Sequence, residues 1–272
     1  MLEVKGLSFS YGDFSVENVA FEVREGEVLT LLGPNGSGKT TILRNIYGLL
    51  KPAKRCVFVD GRDFHSLHPR ERAKLAGYVP QTHHPSFPYT VIDVVVTGMA
   101  SQMGVFDSPG KSHYRKALEK LRLLGLERFK DKPYTQMSGG QIQLVLIARA
   151  LVQEPKILLL DEPTAHLDFK NQVRVLSIVR RLAKEEGISA LMTLHDPNLA
   201  SIYSDRIALI KKGRIMRVGE PKEVLREETL EEVYGVPVCV LEFNGFRLIL
   251  PKTEAWDRSV KEMRETVVEG DG

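Results

Sequence analysis

The chain has 272 residues, of which 43% are hydrophobic and 27% are charged, a composition typical of a folded globular protein rather than a disordered or fibrous one. Its formal net charge of +3, from 38 basic and 35 acidic residues, is too small to indicate nucleic-acid or anionic-membrane binding by charge alone. The two cysteines, Cys56 and Cys239, exclude a disulfide framework and favour a reducing, cytosolic compartment.

Two kinds of targeting segment are not expected. The sequence has no apolar run near the ~20 residues that a membrane-spanning helix needs. Glu3 and Lys5 place charges in the first strand-like stretch, so we do not expect a signal peptide.

The N-terminal part of the sequence predicts strands followed by a helix. Leu2–Phe9 and Val16–Val23 alternate apolar and polar residues, which predicts two antiparallel strands with one buried face. Val28–Leu32 is a continuous apolar run, typical of a strand that is covered on both faces. This run stops at a glycine-rich segment, and a helix is predicted after it over Lys39–Leu49.

The middle of the chain changes in character. Short strands are predicted at Cys56–Asp60 and Gly77–Pro80, but from about 82 to 151 the strand signal nearly disappears. Ala117, Leu121 and Leu124 mark one helical face in this stretch. We interpret it as a mostly helical insertion in a strand-rich core.

The last third alternates between strands and helices again. The alternation favours a largely parallel sheet with helices packed on it, and Asn244-Gly245 predicts a hairpin turn. In order, the predictions are a strand at Ile157–Leu160, a helix on Val175, Ile178, Val179 and Leu182 ended by Gly187, a strand at Ala190–Leu194, a hairpin of Ile207–Ile210 and Ile215–Val218 around Lys211-Lys212-Gly213, and, from Pro221, two short helices before the last hairpin.

The glycine-rich segment after Val28–Leu32 matches the phosphate-loop pattern G-x-x-x-x-G-K-[ST]. Backbone N–H groups of such a loop, and of the helix after it, point at phosphate oxygens. Lys39 would place its charge on the β- and γ-phosphates, and the Thr40 hydroxyl can ligate Mg²⁺. The predicted nucleotide-binding residues here are Gly33, Pro34, Asn35, Gly36, Ser37, Gly38, Lys39, Thr40 and Thr41.

A pair of carboxylates follows the apolar run Ile157–Leu160. Ligands of parallel sheets bind at the carboxyl ends of strands, where Asp161 and Glu162 fall. Asp161 would hold Mg²⁺ and Glu162 would polarise the water that attacks the γ-phosphorus. Seen alone, the pair could equally be two solvated acids after a strand.

A second candidate anion site precedes the predicted helix Ile142–Leu151. Ser138-Gly139-Gly140-Gln141 combines small residues with a helix N-terminus, although an ordinary serine cap with flexible glycines would have the same sequence. Met137–Gln141 resembles the LSGGQ signature of the ATP-binding subunits of ABC transporters, with Met in place of Leu. The resemblance to this family runs from Leu2 to about Val240.

The resemblance implies an α/β fold. It has a P-loop NTPase core with a mainly parallel sheet, an antiparallel β subdomain and an inserted α-helical subdomain at about 82–151. We expect an ATPase domain over residues 1–240 and a C-terminal extension over 241–272, packed on the core.

The resemblance also implies roles for single residues that the patterns alone leave open. Tyr11 matches the aromatic that stacks on adenine, Gln81 the glutamine that senses Mg²⁺ and the membrane partner, and His195 the histidine that contacts the γ-phosphate. Asp168 lies in the matching D-loop. Taken alone, Tyr11 could be a packing aromatic and His195 a structural histidine. The implied catalytic residues are Lys39, Gln81, Glu162 and His195, the implied Mg²⁺ ligands are Thr40, Gln81 and Asp161, and the implied contacts to a partner's ATP are Ser138, Gly139, Gly140 and Gln141.

The resemblance implies partners as well: a second copy of the chain on ATP binding, transmembrane permease subunits and, indirectly, an extracytoplasmic substrate-binding protein, without nucleic acid. It places the chain at the cytoplasmic face of the cell membrane. We expect the permease contact in Gln81–Gly104, where Pro85, Phe87, Pro88 and Tyr89 cluster. Packing of the helical insertion on the core is the alternative. His83-His84 has no partner at ligand spacing, so no metal site is predicted there.

Three segments resemble importers of iron–siderophore, haem or cobalamin: Thr164–Asp168, Tyr89–Val95 and Val233–Val238. Importers of molybdate, zinc or manganese share parts of these patterns. A soluble ABC ATPase acting on ribosomes or DNA ends is a further alternative, and a regulator without hydrolysis is disfavoured by the intact set of catalytic residues.

Overall fold

The computed structural model describes residues 1–52, 54–81, 87–104 and 107–252. His83-His84, Pro85 and the tail from residue 253 lie outside these ranges. Across the described residues, no helix combines the length and the apolar content needed to cross a lipid bilayer.

The strands and helices predicted for the core are present in the predicted order, together with further elements that were not predicted. The strands are β1 (Leu2–Tyr11), β2 (Phe14–Val23), β3 (Val28–Leu32), β4 (Val57–Val59), β5 (Arg62–Asp63), β6 (Ala76–Val79), β7 (Ile157–Leu160), β8 (Ser189–Leu194), β9 (Arg206–Lys211), β10 (Arg214–Gly219), β11 (Val238–Phe243) and β12 (Phe246–Pro251). The helices are α1 (Lys39–Tyr47), α2 (Pro69–Leu75), α3 (Val91–Val96), α4 (Lys111–Leu123), α5 (Gly139–Leu151), α6 (Phe169–Glu186), α7 (Pro197–Tyr203), α8 (Pro221–Val224) and α9 (Glu227–Tyr234).

The main sheet has six strands in the order β10-β9-β3-β8-β7-β6. The five strands from β9 to β6 pair in parallel, and β10 pairs antiparallel to β9. Every residue of β3 and β7 is buried, because helices pack on one face and the second sheet with α1 on the other. Val28 and Leu32 face one core, whereas Leu29 and Leu31 face the other. This double coverage explains the continuous apolar runs in the sequence.

The second sheet is antiparallel, in the order β2-β1-β4-β5. Its strands β1 and β2 pair from Leu2 opposite Val23 to Tyr11 opposite Phe14. Both strands reach closer to the turn than the predicted Leu2–Phe9 and Val16–Val23. The α/β architecture with a mainly parallel sheet and an antiparallel β subdomain is confirmed.

Helices α3, α4 and α5 pack together. In the sequence they lie between β6 and β7, where the helical insertion is predicted. Tyr134, Ala117 and Leu121 are fully buried in this part. Helix α2, which lies before the insertion, is not among the predicted elements. It buries only Ala73, so it has no apolar periodicity, and Pro69 with the capping residue His68 marks its start.

The hairpin β11–β12 turns at Asn244 and Gly245, whose φ angles of 48° and 80° fit the primed turn that this dipeptide favours. Asn198 on α7 holds the hairpin through two bonds to Ile249: Nδ2 donates to the carbonyl oxygen (3.1 Å) and Oδ1 accepts from the backbone N–H (2.7 Å). Strand β11 runs across residue 240, the predicted boundary between the ATPase domain and the C-terminal extension. The division of the chain into these two parts stays a prediction.

Candidate functional site: a phosphate-binding cleft at the carboxyl ends of the parallel strands

Four neighbouring strands of the main sheet end at one cleft. The phosphate loop follows β3, His195 follows β8, Asp161 and Glu162 follow β7, and Gln81 follows β6. The cleft encloses about 680 Å³. Its lining includes Phe14, Asn35, Gly36, Gly38, Lys39, Thr40, Thr41, Gln81, Glu162, Ala165, His166 and His195. The topology thus brings together residues that are far apart in the sequence, from Phe14 to His195.

The phosphate loop wraps tightly at two glycines. Gly38 has a φ of 104°, and a Cβ atom there would lie 2.9 Å from the Phe14 ring. A Cβ atom on Gly33 would overlap the carbonyl oxygen of Ile210. Side chains at these positions would displace the loop, so only glycine allows the backbone N–H groups to face the cleft.

Lys39 is held inside the loop, with 4% of its surface exposed. Its Nζ donates to the carbonyl oxygens of Gly33 (2.8 Å) and Pro34 (3.0 Å). Burial lowers the pKa of this ammonium group, and the carboxylates of Glu162 and Asp161 oppose that shift. An anion in the cleft would add a further partner to a cation that is already positioned.

Asp161 is fully buried and accepts three side-chain hydrogen bonds. Its Oδ1 accepts from the hydroxyls of Thr40 (2.7 Å) and Thr193 (3.2 Å), and its Oδ2 accepts from the Tyr78 hydroxyl (3.2 Å). Burial and the nearby Asp161 carboxylate raise the pKa of Tyr78 to about 12, so Tyr78 stays a donor at neutral pH. The oxygens of Thr40 and Asp161 meet beside the phosphate loop, and hard oxygen donors of this kind suit Mg²⁺.

Glu162 contacts two of the other residues predicted to be catalytic. Its Oε2 accepts from Gln81 Nε2 (2.6 Å) and lies 3.5 Å from His195 Nε2. Its backbone N–H donates to Thr193 Oγ1 (2.7 Å), and its φ of 47° is left-handed. Such a backbone conformation is costly outside glycine and is found where a side chain must be aimed. Here it aims the carboxylate into the cleft.

Several predicted site residues do not belong to the cleft lining: Tyr11 and Asp168, and also Gly33, Pro34, Ser37 and Asp161. Tyr11 is 76% exposed near the β1–β2 turn, and Phe14, opposite it in the hairpin, lines the cleft. The role of Tyr11 in stacking on adenine stays a prediction. Asp168 caps α6 by accepting from the backbone N–H of Asn171 (2.8 Å).

The segment Ser138–Gln141 is also separate from the cleft, because none of its residues belongs to the lining formed by the described chain. Ser138 and Gly139 are exposed at the start of α5. Gly140 is buried against α6, where a Cβ atom would overlap the Asn171 carboxamide. Helix α5 begins at Gly139, three residues before the predicted start at Ile142.

Sequence reasoning missed three residues that shape the site. Tyr78 and Thr193 bond Asp161, and Phe14 packs against Gly38. Tyr78 and Thr193 lie in the predicted strands Gly77–Pro80 and Ala190–Leu194, but only the adjacency of β6, β7 and β8 turns them toward Asp161. The sequence contains no signal for that strand order.

The carboxyl ends of the parallel sheet carry a phosphate loop, a buried aspartate, and a glutamate in contact with a glutamine and a histidine. This arrangement defines the class of the protein as a P-loop ATPase. The family model described as ABC transporter matches residues 16–165, more than half of the chain. The chain belongs to the ABC transporter family, as an ATP-binding subunit, and the family implies ATPase activity.

Relatives match nearly the whole chain. An uncharacterized ABC transporter ATP-binding protein of Methanocaldococcus jannaschii is 39% identical over 92% of this chain and 98% of its own length. An iron chelatin transport ATP-binding protein of Helicobacter pylori is 36% identical over 88% of this chain and 94% of its own. A hemin import ATP-binding protein of Rhizobium meliloti is 36% identical over 88% of this chain and 93% of its own.

Solved structures match equally broadly. A metal-chelate type ABC transporter in an inward-facing conformation has a TM-score of 0.82 at 31% identity, and the match covers 93% of this chain and 98% of that one. A dimeric ATP-binding cassette with ADP and phosphate bound has a TM-score of 0.68 at 31% identity, over 81% of this chain and 99% of that one.

Proposed function

We propose that this chain hydrolyses ATP as a dimer to drive a separate membrane permease that takes up a metal chelate such as an iron–siderophore, haem or cobalamin. The observation that carries this proposal is the contact of Glu162 with both Gln81 and His195 in the cleft, while the segment Ser138–Gln141 lies outside it. The chain thus has a hydrolytic site and a separate anion-binding helix start.

The cleft offers partners for each part of the nucleotide phosphates. Lys39 and the N–H groups of the loop would bind the β- and γ-phosphates. Thr40, Asp161 and Gln81 would hold Mg²⁺, which when bound neutralises charge on the phosphate oxygens. Gln81 Nε2 already donates a hydrogen bond to Glu162, and the carboxamide oxygen of Gln81 is therefore the atom that would bind Mg²⁺.

Glu162 is the group that would take the proton of the attacking water at a carboxylate oxygen. Gln81 and His195 fix the orientation of that carboxylate through the 2.6 Å and 3.5 Å contacts. His195 Nδ1 is buried without a hydrogen-bond partner within the described parts of the chain, so the ring is held through Nε2 and its packing. A γ-phosphate in the cleft would lie beside this ring.

The exposed start of α5 supports a two-fold dimer. A helix N-terminus attracts phosphate, and Ser138 and Gly139 are open to a second molecule. In a head-to-tail pair, each Ser138–Gln141 segment would cap the ATP held by the partner. Phe169, beside Asp168 and 77% exposed, would also become covered. The pair would close on ATP and reopen after phosphate release.

The permease would contact the region Gln81–Gly104. Of its described aromatics, Phe87 is 62% and Tyr89 is 57% exposed, and their rings meet edge to face at 5.9 Å. Exposed aromatic pairs of this kind are typical of interfaces. This contact would hold the chain at the cytoplasmic face of the membrane, and the names of the relatives support a metal chelate as the cargo.

Glu162→Gln tests hydrolysis and dimerisation together. Loss of the proton-accepting carboxylate is expected to lower ATP turnover by about 10²- to 10⁴-fold while ATP affinity is kept. Light scattering should then find a stable dimer with Mg-ATP and a monomer without nucleotide. Turnover at the unmodified rate, or a monomer under all conditions, contradicts the proposal.

Reconstitution with the permease tests the cargo. In proteoliposomes, uptake of an iron–siderophore, haem or cobalamin is expected only with ATP and the unmodified chain, and Glu162→Gln serves as the inactive control. Uptake of molybdate, zinc or manganese in place of all chelates would overturn the substrate class and leave the transport ATPase intact. Association with ribosomes rather than membranes would favour a soluble ATPase.

A further inference from the structure

Tyr78 lines a second cavity of about 360 Å³, and its hydroxyl donates to Asp161 at the carboxyl end of β7. This second cavity lies between the end of α1, helix α2 and the helical insertion, and Tyr47, Arg72, Tyr78, Ser101 and Arg149 are among its lining residues. The Tyr78 ring stacks on Tyr47, with 5.0 Å between centroids and 22° between planes. This stacking holds the Tyr78 ring in the wall of the second cavity. That wall contains no residue of the phosphate loop.

The hydroxyl of the same side chain donates to the buried Asp161 carboxylate. Thr40 and Thr193 both donate to Oδ1 of Asp161, whereas Tyr78 donates to Oδ2. Tyr78 is the one side-chain donor to Oδ2 among the described residues. Without it, the carboxylate would be held at one oxygen only, and its plane could tilt about the Cβ–Cγ bond. With it, both oxygens are held, and the plane of the carboxylate stays fixed with one oxygen beside Thr40 and the phosphate loop.

We propose that Tyr78 is a positioning residue for the magnesium site: its ring is anchored by Tyr47, and its hydroxyl fixes the orientation in which Asp161 presents an oxygen beside Thr40. This inference rests on the proposed Mg-ATP function. Tyr78 would act on the magnesium site through Asp161, to which its hydroxyl donates.

Tyr78→Phe removes the hydroxyl and keeps the ring that stacks on Tyr47. The Mg²⁺ concentration at which a fluorescent ATP analogue is half-bound is expected to rise about 3- to 10-fold, the scale of one hydrogen bond. Analogue affinity in EDTA should be unchanged, and the half-saturating Mg²⁺ for hydrolysis should shift by the same factor. Turnover at saturating Mg²⁺ should return close to the unmodified value.

Tyr47→Phe is the matched control, because it alters the stacked partner but makes no hydrogen bond to Asp161 in the described chain. It should leave the Mg²⁺ half-point unchanged. An unchanged half-point in Tyr78→Phe would overturn the inference, as would an equal loss of affinity in EDTA, since that result indicates general damage to the cleft. If binding and hydrolysis by the unmodified chain did not depend on Mg²⁺ at all, the proposed function itself would fail.

Discussion

Two glycine-containing segments in this molecule each open a helix, and they are used in opposite ways. At the start of α1, Gly38 has a φ of 104° and the loop closes around the buried Lys39 inside the cleft. At the start of α5, Ser138 is extended with a φ of −69°, and its backbone N–H donates to the Gln141 carboxamide at 3.0 Å. The first helix start is folded inward, and the second is presented to the outside.

The difference shows that a helix N-terminus alone does not decide what a segment binds. Both helix starts favour an anion by the same backbone physics. Only α1 has a left-handed turn and a buried cation beside the buried Asp161, so it can hold a nucleotide within one chain. The start of α5 has an exposed face, which a nucleotide bound to another copy would complete.

Among the variants that test this difference between the two helix starts, Ser138→Arg should have the largest effect on ATP turnover. A bulky cation at the exposed start of α5 would block closure on the partner's ATP, so turnover is expected to fall on the order of 100-fold or more. ATP affinity of the single chain should stay within about twofold, because the segment lies outside the cleft. Titration calorimetry and a phosphate-release assay measure the two quantities.

The control for this variant is Ser108→Arg, because Ser108 is also an exposed serine and lies in the helical insertion. It should change neither affinity nor turnover. Full activity of homogeneous Ser138→Arg would mean that the start of α5 does not act on a partner's nucleotide.

Lys39→Ala probes the inward-folded helix start. Loss of a charged hydrogen bond to phosphate is expected to weaken ATP binding by about 10- to 150-fold. Lys74→Ala, an exposed lysine on α2, should bind as the unmodified chain does. Equal affinities for Lys39→Ala and the unmodified chain would remove Lys39 from the phosphate site.

Gly140→Ala gives the smallest expected effect, because it acts through packing. The added methyl group would overlap the Asn171 carboxamide, at a cost of about 1–3 kcal/mol in the free energy of unfolding. Gly139→Ala is the matched control, since its methyl group would meet only Leu167 Cδ2 at 3.3 Å. Urea unfolding should show recovery in Gly140→Ala/Asn171→Ala. A Gly140→Ala chain as stable as the unmodified one would refute this packing account.

The sequence predicted the parts of the fold in which local pattern and tertiary environment agree. Val28–Leu32 reads as a doubly covered strand, and it is one, because both layers of the molecule pack on β3. The helix ended by Gly187 appears as α6, capped by Gly187 at a φ of 68°. Helix α7 was not predicted, although Asp196-Pro197 carries the cap and first-turn proline of a helix start.

The site was only partly predictable, for a physical reason. The phosphate loop, Asp161 and Glu162 each follow a strand, so their placement at one sheet edge follows from parallel topology. The order of the strands does not, and that order turns Tyr78 and Thr193 onto Asp161. Phe14 lies in the cleft lining because the β1–β2 hairpin folds over Gly38, a contact that no local pattern contains.

The position of β8 in the main sheet has a consequence for synthesis of the chain. Ser189–Leu194 leaves the ribosome after both of its neighbours in the sheet, because it lies between β3, which bears the phosphate loop, and β7, which bears Asp161. A growing chain that ends before residue 189 lacks β8, the strand that joins β3 with its phosphate loop to β7 with Asp161. We therefore expect fragments that end before residue 189 to lack ATPase activity, because the two halves of the site are not yet joined.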